Sequence, residues 1–385
     1  MIKGTYILYE NGVEFCRSEN VITLFGKRFL TNFISGNQIG PDRDLAFGID
    51  RKEVLVTAAS ASAGTITYTA INYFSVGDVV SIYGLSTSEF NLSNVTVASA
   101  SSTQFTVINT ATGTAVTNSS TGRAFKKASD LDTRLGFEFY RLPVSLTSTD
   151  IQTAGASSSY SIVYKTTIPQ EISGVISEIG LYPSTRSTAN NYDSKFITDF
   201  SDALDWTDNG GFTTISSTSN ARIGDSLLDM ESDSTSVNEY VSNIYLDMSG
   251  YSQNDTISLA YYKYDVNIEK IRIKFYSTDI AWYYADIIPQ SGLGYKISPD
   301  ISLGTLFNQS GGSATVDPSQ ISKIGIEIYP TSGNTTKVGM DALRINDEDT
   351  FDPTFGIISR TTLATPLEKL AGRSVDVEYR LDLGF

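Results

Sequence analysis

The chain has 385 residues, of which 40% are hydrophobic and 18% charged, so it carries enough apolar side chains to form folded cores. Because it has no histidine and one cysteine, Ser-His-Asp, Cys-His and His-zinc chemistry and an intrachain disulfide are excluded. The net charge of −15, without a lysine- or arginine-rich run, argues against binding to nucleic acids or anionic membranes. No segment has the length and apolarity of a signal peptide or a membrane span, and we expect no membrane insertion.

The first 50 residues contain the clearest helix candidate of the chain. Between Asn20 and Gly36 the apolar side chains recur near the helical period, which predicts an amphipathic helix. Asn20 or Thr23 is suited to cap the start of this helix, and Gly36 is suited to end it. The aromatic side chains of its apolar face are Phe25, Phe29 and Phe33.

Residues 51–126 have a different sequence pattern, in which short β-prone runs are separated by Gly, Ser and Asn. The apolar run 79–82 follows a Gly-Asp turn, and Phe105 and Val107 alternate with polar neighbours. This pattern predicts a small inserted β domain. We expect the Ser- and Thr-rich stretch 110–122 to be a flexible return or linker.

The segment 196–349 carries nearly all of the net charge of the chain. It has 22 Asp and Glu residues against 9 Lys and Arg residues, which is a net charge of −13. Apolar and charged residues alternate within it, as at Ile271, Ile273 and Phe275. Six or more short strands with this alternation predict a β-sandwich of jelly-roll type.

The end of the chain shows the most regular strand pattern. Five apolar residues alternate there with polar residues, which predicts a half-buried strand that closes the chain. The apolar positions are Val375, Val377, Tyr379, Leu381 and Leu383.

The run 167–182, with the sequence TIPQEISGVISEIGLY, resembles a segment of the N-terminal domains of phage tail fibres. Such domains show an apolar strand, a proline followed by an acidic residue, a glycine, and then Glu-Ile-Gly-Leu with an aromatic residue. Three further pieces occur in the order that such domains show. They are the helix with the strand 45–48, the segment 132–141, and the segment 358–360 that leads into the terminal strand.

The resemblance implies a mainly β, multi-domain virion protein. A split anchoring domain of α+β or β architecture would comprise residues 1–50, 127–195 and 350–385. The small β domain 51–126 and the acidic jelly roll 196–349 would be inserted into it. We expect the protein to assemble in the host cytoplasm into the virion, to bind other virion structural proteins and to form a homo-oligomer.

The resemblance also suggests which residues attach the anchoring domain to its neighbours. Glu178 and Arg141 are interpreted as a fixed ion pair within the domain, and the alternative is that they mark a docking surface for a neighbouring subunit. The candidate anchoring residues are Phe25, Phe29, Phe33, Arg141, Glu178, Gly180 and Leu181.

The acidic segment is similar in pattern to carbohydrate-binding jelly rolls. In such modules acidic residues near the first and last strands hold a structural calcium, which here implies Asp199 and Asp341, with Asp205 or Asp347 as additional ligands. Oxygen ligands suit this hard cation, whereas the alternative is an ordinary acidic surface. We expect no other cofactor.

Sugar binding requires an exposed aromatic face that stacks on a sugar ring. Two runs of aromatic residues in strands place side chains on both faces of each strand, so at least one from each run is expected to point outward. The alternative is that these side chains pack in the core or at a subunit interface. The candidate glycan contacts are Tyr261, Tyr262, Trp282, Tyr283 and Tyr284.

Three function classes stay open. The first is a tail, baseplate or tail-fibre adaptor that docks on virion proteins and displays β domains towards host glycans, and the resemblance favours it. The second is a capsid decoration protein, which fits a chain that shows no repetitive shaft. The third is a free carbohydrate-binding protein, against which the lack of a signal peptide weighs. No carboxylate pair stands out for glycoside hydrolysis, and we expect no enzymatic activity.

Overall fold

The computed structural model describes residues 2–35, 43–154, 157–183, 195–209, 215–218, 220–232, 237–346 and 356–384. Within these residues the protein is mainly β. The chain divides into two compact units, of which the first comprises Met1–Thr185 and Asp352–Phe385 and the second comprises Arg186–Phe351. No helix in the described ranges is long and apolar enough to cross a membrane.

The elements of the first unit, in chain order, are the strands β1 (Ile2–Glu10), β2 (Val13–Glu19) and β3 (Val21–Ile22), the helix α1 (Leu24–Ile34), and the strands β4 (Arg43–Ile49), β5 (Val54–Ser62), β6 (Thr65–Thr69), β7 (Val79–Tyr83), β8 (Val95–Ala100), β9 (Gln104–Ile108), β10 (Val116–Lys126), β11 (Phe137–Ala154), β12 (Ser157–Ile168) and β13 (Gly174–Pro183).

The elements of the second unit are the strands β14 (Lys195–Thr198), β15 (Thr207–Asp208), β16 (Ile215–Thr218), β17 (Leu227–Ser232), β18 (Asn238–Ser242), β19 (Thr256–Lys263), β20 (Ile268–Thr278), β21 (Ala281–Ile287), β22 (Gly294–Ile297) and β23 (Ile301–Ser302), the helix α2 (Leu303–Phe307), and the strands β24 (Ser310–Gly312), β25 (Lys323–Pro330) and β26 (Thr336–Asn346). The chain then returns to the first unit with β27 (Ser359–Lys369) and β28 (Val375–Gly384).

The first unit is built around a nine-stranded antiparallel sheet in the order β2-β1-β28-β12-β11-β4-β13-β27-β3. The C-terminal strand β28 lies between β1 and β12, with Tyr379 opposite Tyr6 on one side and Tyr164 on the other. Val377 and Tyr379 are 1% exposed, so the predicted terminal strand and its buried face are confirmed. Burial on this face stabilises the sheet because it removes apolar surface from water.

The two ends of the nine-stranded sheet come together. Strand β2 leads directly into β3, and β3 pairs with β27 at the far end of the sheet. The hydroxyl groups of Ser18 on β2 and Thr361 on β27 lie 2.6 Å apart. The buried Tyr6 hydroxyl lies 2.7 Å from the Ser359 hydroxyl, so β1 also contacts β27. The sheet therefore curls around its own core.

Helix α1 packs against this sheet. The Thr23 hydroxyl accepts a hydrogen bond from the Gly26 N–H at 2.9 Å, so Thr23 is the cap of the two that the sequence offers, Asn20 and Thr23. Phe29 is buried beneath the Arg43 guanidinium, 4.6 Å from the ring centroid. A side chain on Gly26 would lie 2.0 Å from the Ile358 carbonyl oxygen, so the helix approaches the sheet this closely because position 26 is glycine.

Strands β5 to β10 form a closed six-stranded barrel in the order β10-β5-β6-β9-β8-β7. In its core the Phe105 ring stacks on Tyr68 at 4.9 Å and meets the edge of Phe74 at 5.0 Å. Strand β10 begins at Val116 and pairs with both β5 and β7. The expectation of a flexible linker over 110–122 is therefore wrong from Val116 onward, because closure of the barrel orders this polar segment.

The second unit is a jelly-roll β-sandwich. One sheet has the strand order β16-β17-β26-β19-β22, with β14 beside β26 and β23 beside β19. The other sheet has the order β15-β18-β25-β20-β21-β24. Side chains from both sheets fill one core, to which Leu303 and Leu306 of α2 contribute. The core includes Leu228, Met340, Ile273 and Ile326, which are all fully buried.

Candidate functional site

The sandwich has two outer faces of different chemistry. The first, which we call the tyrosine face, is the outer face of β17, β26, β19 and β22 and carries Tyr262, Tyr264 and Tyr295. The second, which we call the cation–aromatic face, is the outer face of β25, β20 and β21 and carries Trp282 and Tyr284. Both faces contain aromatic side chains, so the contacts of each ring decide which face is suited to bind a ligand.

On the tyrosine face one row of residues crosses four strands. Asp229 on β17 lies opposite Gly339 on β26, Gly339 lies opposite Tyr262 on β19, and Tyr262 lies opposite Tyr295 on β22. Directly opposed residues of an antiparallel pair point to the same side of the sheet. Four strands at about 4.8 Å spacing make this row roughly 14 Å long. The neighbouring row contains Tyr261 and faces the core.

Buried carboxylates fix the orientation of two tyrosines. Asp229 is 2% exposed and accepts a hydrogen bond from the Tyr264 hydroxyl at 2.9 Å. Asp341 is fully buried and accepts a hydrogen bond from the Tyr295 hydroxyl. Because these rings are held in place before a ligand arrives, little conformational entropy is lost when one binds.

Cations lie over the same two tyrosines. The Lys337 ammonium is 4.9 Å from the centroid of the Tyr264 ring and 3.0 Å from Asp229 Oδ2. The Arg222 guanidinium is 5.0 Å from the centroid of the Tyr295 ring. These cations supply N–H donors at both sides of the row.

Tyr262 is the third tyrosine of the tyrosine face. It is half-buried, and its ring centroid lies 4.7 Å from that of Tyr264 in a tilted arrangement. Among the residues that the structure describes, no lysine or arginine lies over the Tyr262 ring. A half-buried aromatic ring without a cation over it, next to hydrogen-bonded tyrosines and with cations nearby, has the components needed to stack on a sugar and to contact its hydroxyl groups.

The aromatic rings of the cation–aromatic face are covered by cations of the same chain. The Arg272 guanidinium lies 4.2 Å from the Tyr284 ring centroid, and the Lys274 ammonium lies 5.1 Å from that of Trp282. A side chain on Gly311 would lie 2.4 Å from the Trp282 indole nitrogen, so this strand also packs closely on the ring. These contacts leave little ring surface for a ligand.

The cations of this face are in turn paired with carboxylates. Arg272 Nε lies 2.6 Å from Asp286 Oδ1, and Lys274 pairs with Glu239 at 3.2 Å and with Glu327. Hydrogen bonds from Arg272 hold the pKa of Asp286 below its usual value, although burial opposes this effect. The outer side of this sheet is therefore a network of paired charges.

The five predicted glycan contacts therefore lie in three different environments. Tyr261 is fully buried in the sandwich core, and Tyr283 packs on that core with its ring 5.1 Å from Phe307. Trp282 and Tyr284 are covered by cations. Of the five, Tyr262 alone lies on an outer face without a lysine or arginine of the described residues over its ring. Tyr261 and Tyr283 point inward because neighbouring residues in a strand alternate between core and surface.

Sequence reasoning missed three residues of the tyrosine face, namely Tyr264, Tyr295 and Asp229. Tyr264 stands two positions after Tyr262, and this spacing could have placed it on the same face of the strand. No local signal marks Tyr295 or Asp229, because they join the row through pairing between strands that are distant in sequence.

The predicted calcium ligands Asp199 and Asp341 border the same short segment of chain. Asp341 accepts hydrogen bonds from the Arg222 and Ile223 N–H groups at 3.4 Å, and Asp199 Oδ2 is 2.9 Å from where a side chain on Gly224 would begin. Burial raises the pKa of Asp341 to about 7 despite these hydrogen bonds.

The hydrogen-bond donors around Asp341 would compete with a cation for its oxygens. Within the described ranges, no group of three or more acidic or cysteine side chains is arranged to hold a metal ion. Asp205 forms part of a short turn, and Asp347 lies outside the described residues. Calcium binding at Asp199 and Asp341 stays a prediction.

Glu178 and Arg141 do not form the predicted ion pair. Arg141 pairs with Glu138 at 2.7 Å and lies 4.1 Å over the Tyr182 ring. Glu178 is fully buried and pairs with Arg360, whose Nε donates to Glu178 Oε2 at 3.0 Å. The physical reason is strand order, because β4 separates Arg141 on β11 from β13, whereas Arg360 is on the adjacent strand β27.

Most of the predicted anchoring residues lie in the interior of the first unit. Glu178, Gly180 and Leu181 belong to β13, which has β4 and β27 on its two sides. A side chain on Gly180 would lie 2.6 Å from Ile357 Cδ1, and Leu181 is 3% exposed. These residues hold the fold together and do not present a surface to a neighbouring protein.

The helix residues of the same prediction have different positions. Phe29 is buried, and Phe25 is half-buried with its ring centroid 6.2 Å from that of Phe29. The Phe33 side chain lies outside what the structure describes. Phe25 and Phe29 contribute to the packing of α1, so an anchoring surface, if formed by this helix, uses its exposed side.

No protein-family model matches the chain, and no curated protein matches it. Among solved structures, the chain is similar to a family 11 carbohydrate-binding module from Clostridium thermocellum in complex with a β-1,3-1,4-mixed-linked tetrasaccharide. The identity is 18% and the TM-score 0.31, over 41% of this chain and 97% of that chain.

A family 30 carbohydrate-binding module is similar at 14% identity and TM-score 0.32, over 41% of this chain and 90% of that one. An exo-β-agarase is similar at 12% identity and TM-score 0.30, over 41% of this chain and 25% of the agarase chain. TM-scores this low do not support a functional inference. Any function assigned to this chain therefore depends on its own side chains.

Proposed function

We propose that the sandwich binds a polysaccharide chain on its tyrosine face. The observation that carries the proposal is the half-buried Tyr262 ring, which lies in a row between Asp229 and Tyr295 and has no lysine or arginine of the described residues over it. The sugar ring stacks on Tyr262, and Lys337 and Arg222 donate hydrogen bonds to its hydroxyl groups. No step of bond cleavage is assigned to this face.

The experiment measures binding of the full chain to neutral β-glucans, β-galactans and uronate-containing polysaccharides by affinity electrophoresis. Tyr262→Ala is expected to weaken binding at least tenfold, which corresponds to about 1.4 kcal/mol of stacking energy. Tyr262→Phe keeps the ring and is expected to retain most of the affinity. Tyr284→Ala on the opposite face is the matched control.

Two results would contradict the proposal. Equal affinity of Tyr262→Ala and the unchanged protein would show that this ring does not stack on the sugar. Loss of binding in Tyr284→Ala alone would move the site to the cation–aromatic face. Failure of every polysaccharide class to bind would reject sugar binding by this sandwich.

We infer further that the protein is a structural component of a tailed-phage particle, in which the first unit attaches the chain to other virion proteins. The resemblance of the run 167–182 to tail-fibre N-terminal domains supports this role. Its distant companion pieces are neighbours in the nine-stranded sheet, where β13 lies between β4 and β27. Repeated copies in a homo-oligomer would raise a weak glycan affinity through effective concentration.

Labelling of purified particles with antibodies against residues 196–349, followed by electron microscopy, tests this role. Label at the tail end supports a tail, baseplate or tail-fibre adaptor. Label over the shell supports the alternative of a capsid decoration protein. Absence of the protein from denatured particles by mass spectrometry would reject both and favour a free carbohydrate-binding protein.

A further inference from the structure

The small barrel is joined to the nine-stranded sheet by two chain connections, and each carries an aspartate that reaches the same arginine. Asp50 precedes the first barrel strand and Asp132 follows the last one. Arg360 Nη1 donates to Asp132 Oδ2 at 2.6 Å, and Arg360 Nη2 lies 3.5 Å from Asp50 Oδ1. Arg360 therefore holds both connections of the barrel against β27.

A third carboxylate completes this cluster. Glu178 is fully buried, and its Oε2 accepts hydrogen bonds from Nε and Nη2 of Arg360. Its Oε1 accepts from the N–H groups of Gly136, at 2.6 Å, and Phe137, at 3.3 Å, where the connection that follows the barrel enters β11. Three carboxylates thus share one guanidinium.

The charge of the cluster depends on how many carboxylates are ionised. With all three ionised, one positive charge faces three negative charges, and Asp50 and Glu178 are only 5% and 0% exposed. Repulsion between carboxylates that are shielded from water is costly unless one of them takes up a proton.

Asp50 is the carboxylate whose surroundings favour the neutral form. Burial raises its pKa to about 6, and the negative charges of Glu178 and Glu53 act in the same direction. Arg360 and the hydrogen bond from the Lys52 N–H oppose the rise. Besides these groups and Asp132, one further titratable group faces the cluster, namely Tyr73 from the barrel.

We propose that the carboxylates of Asp50, Asp132 and Glu178 and the guanidinium of Arg360 form a proton-dependent clasp that holds the barrel to the nine-stranded sheet more tightly at mildly acidic pH than at neutral pH. The segments that carry Asp50 and Asp132 open first, because Glu178 and Arg360 lie on paired strands of the sheet. The barrel then keeps its own closed structure and loses its fixed attachment.

Proton linkage determines whether the barrel is held more tightly at low or at high pH. An opened, solvated Asp50 has a pKa near 4, whereas the closed cluster keeps the proton up to about pH 6. Between these values the closed state binds more protons, so the opening equilibrium constant rises with pH by up to about tenfold per pH unit. Above about pH 6 the effect levels off.

Hydrogen exchange with mass spectrometry on the full chain tests the clasp. Protection of the connections 50–53 and 127–136 is measured at pH 4.5, 5.5, 6.5 and 7.5 and corrected for the intrinsic exchange rate. In the unchanged protein protection is expected to fall at least tenfold from pH 4.5 to 6.5. In Asp50→Asn, which mimics the neutral carboxyl group, it is expected to stay constant.

Asp132→Asn provides a second variant with a different readout. It removes one negative charge from the cluster, so Arg360 has one carboxylate fewer to pair with and interacts more strongly with Asp50. This favours the ionised form of Asp50, and the transition is expected to move to lower pH without disappearing. Asp130→Asn, at an exposed carboxylate that pairs with Lys27, is the matched control and leaves the profile unchanged. Protection that does not vary with pH in the unchanged protein, or an Asp50→Asn profile identical to it, would overturn the proposal.

Discussion

Replacing Phe105 with alanine tests whether the small barrel is a cooperative unit of its own. Phe105 is fully buried, stacks on Tyr68 at 4.9 Å and meets the edge of Phe74 at 5.0 Å. Deleting such a ring costs about 3–5 kcal/mol of folding free energy, because the transfer energy is lost and a cavity remains.

This loss is large compared with the stability of a module of this size. At about 0.05–0.15 kcal/mol per residue, a domain of about 70 residues is stable by roughly 4–10 kcal/mol. Phe105→Ala is therefore expected to open the barrel under conditions in which the nine-stranded sheet stays folded. Phe105→Leu, which keeps most of the volume, is the control and costs under about 2 kcal/mol.

The assay is hydrogen exchange of the full chain at constant pH, followed separately in the barrel and in the sheet. Amides of β5 to β10 are expected to lose protection by about a hundredfold to a few thousandfold, which corresponds to 3–5 kcal/mol. Amides of β12 and β28 should keep theirs. An equal loss in β28 would refute independent unfolding, and a loss below tenfold in the barrel would refute the assigned role of Phe105.

Three further predictions concern the other parts of the molecule. Arg360→Met leaves Glu178 buried without its cation and is expected to cost about 3–5 kcal/mol in denaturant unfolding, most of which the double variant with Glu178→Gln should restore. Gly26→Ala should destabilise the folded protein by about 1–3 kcal/mol, because the added methyl group would meet the Ile358 carbonyl. This loss would exceed the gain of about 1 kcal/mol that alanine normally gives a helix, and an increase in melting temperature would contradict the packing. Asp341 favours its neutral form in the folded state, so its contribution to the free energy of unfolding falls by up to about 1.4 kcal/mol per pH unit as pH rises from about 4 to about 7. When the free energy of unfolding is measured against pH, this decrease should be absent in Asp341→Asn.

Local patterns in the sequence were sufficient for the elements that depend on neighbours along the chain. The alternation from Val375 onward predicted β28, and the helical period with Asn20 or Thr23 at its start predicted α1, which Thr23 caps. Strand-like runs separated by turn residues also indicated the jelly-roll sandwich. These predictions succeed because the side-chain periods of strands and helices follow from backbone geometry alone.

At the candidate site, local sequence patterns do not predict which side chains contact each other. Strand alternation establishes that Trp282 and Tyr284 lie on one side of β21 and Tyr283 on the other, and the same holds for Tyr262 against Tyr261. It does not say which side is covered, or that Arg272 and Lys274 lie over two of these rings. Those contacts arise between adjacent strands, whose pairing the local sequence does not encode.

The sequence by itself determined that this is a mainly β protein without histidine chemistry, with a helix near its start, an acidic sandwich and a terminal strand. Only the tertiary structure decided that Glu178 pairs with Arg360, 182 positions away, and that Asp229 joins Tyr262 and Tyr295 in one row. The physical reason is that composition and periodicity fix which residues are apolar and which way they point. The partner of a buried charge or an exposed ring depends on the order and register of strands that are distant in sequence.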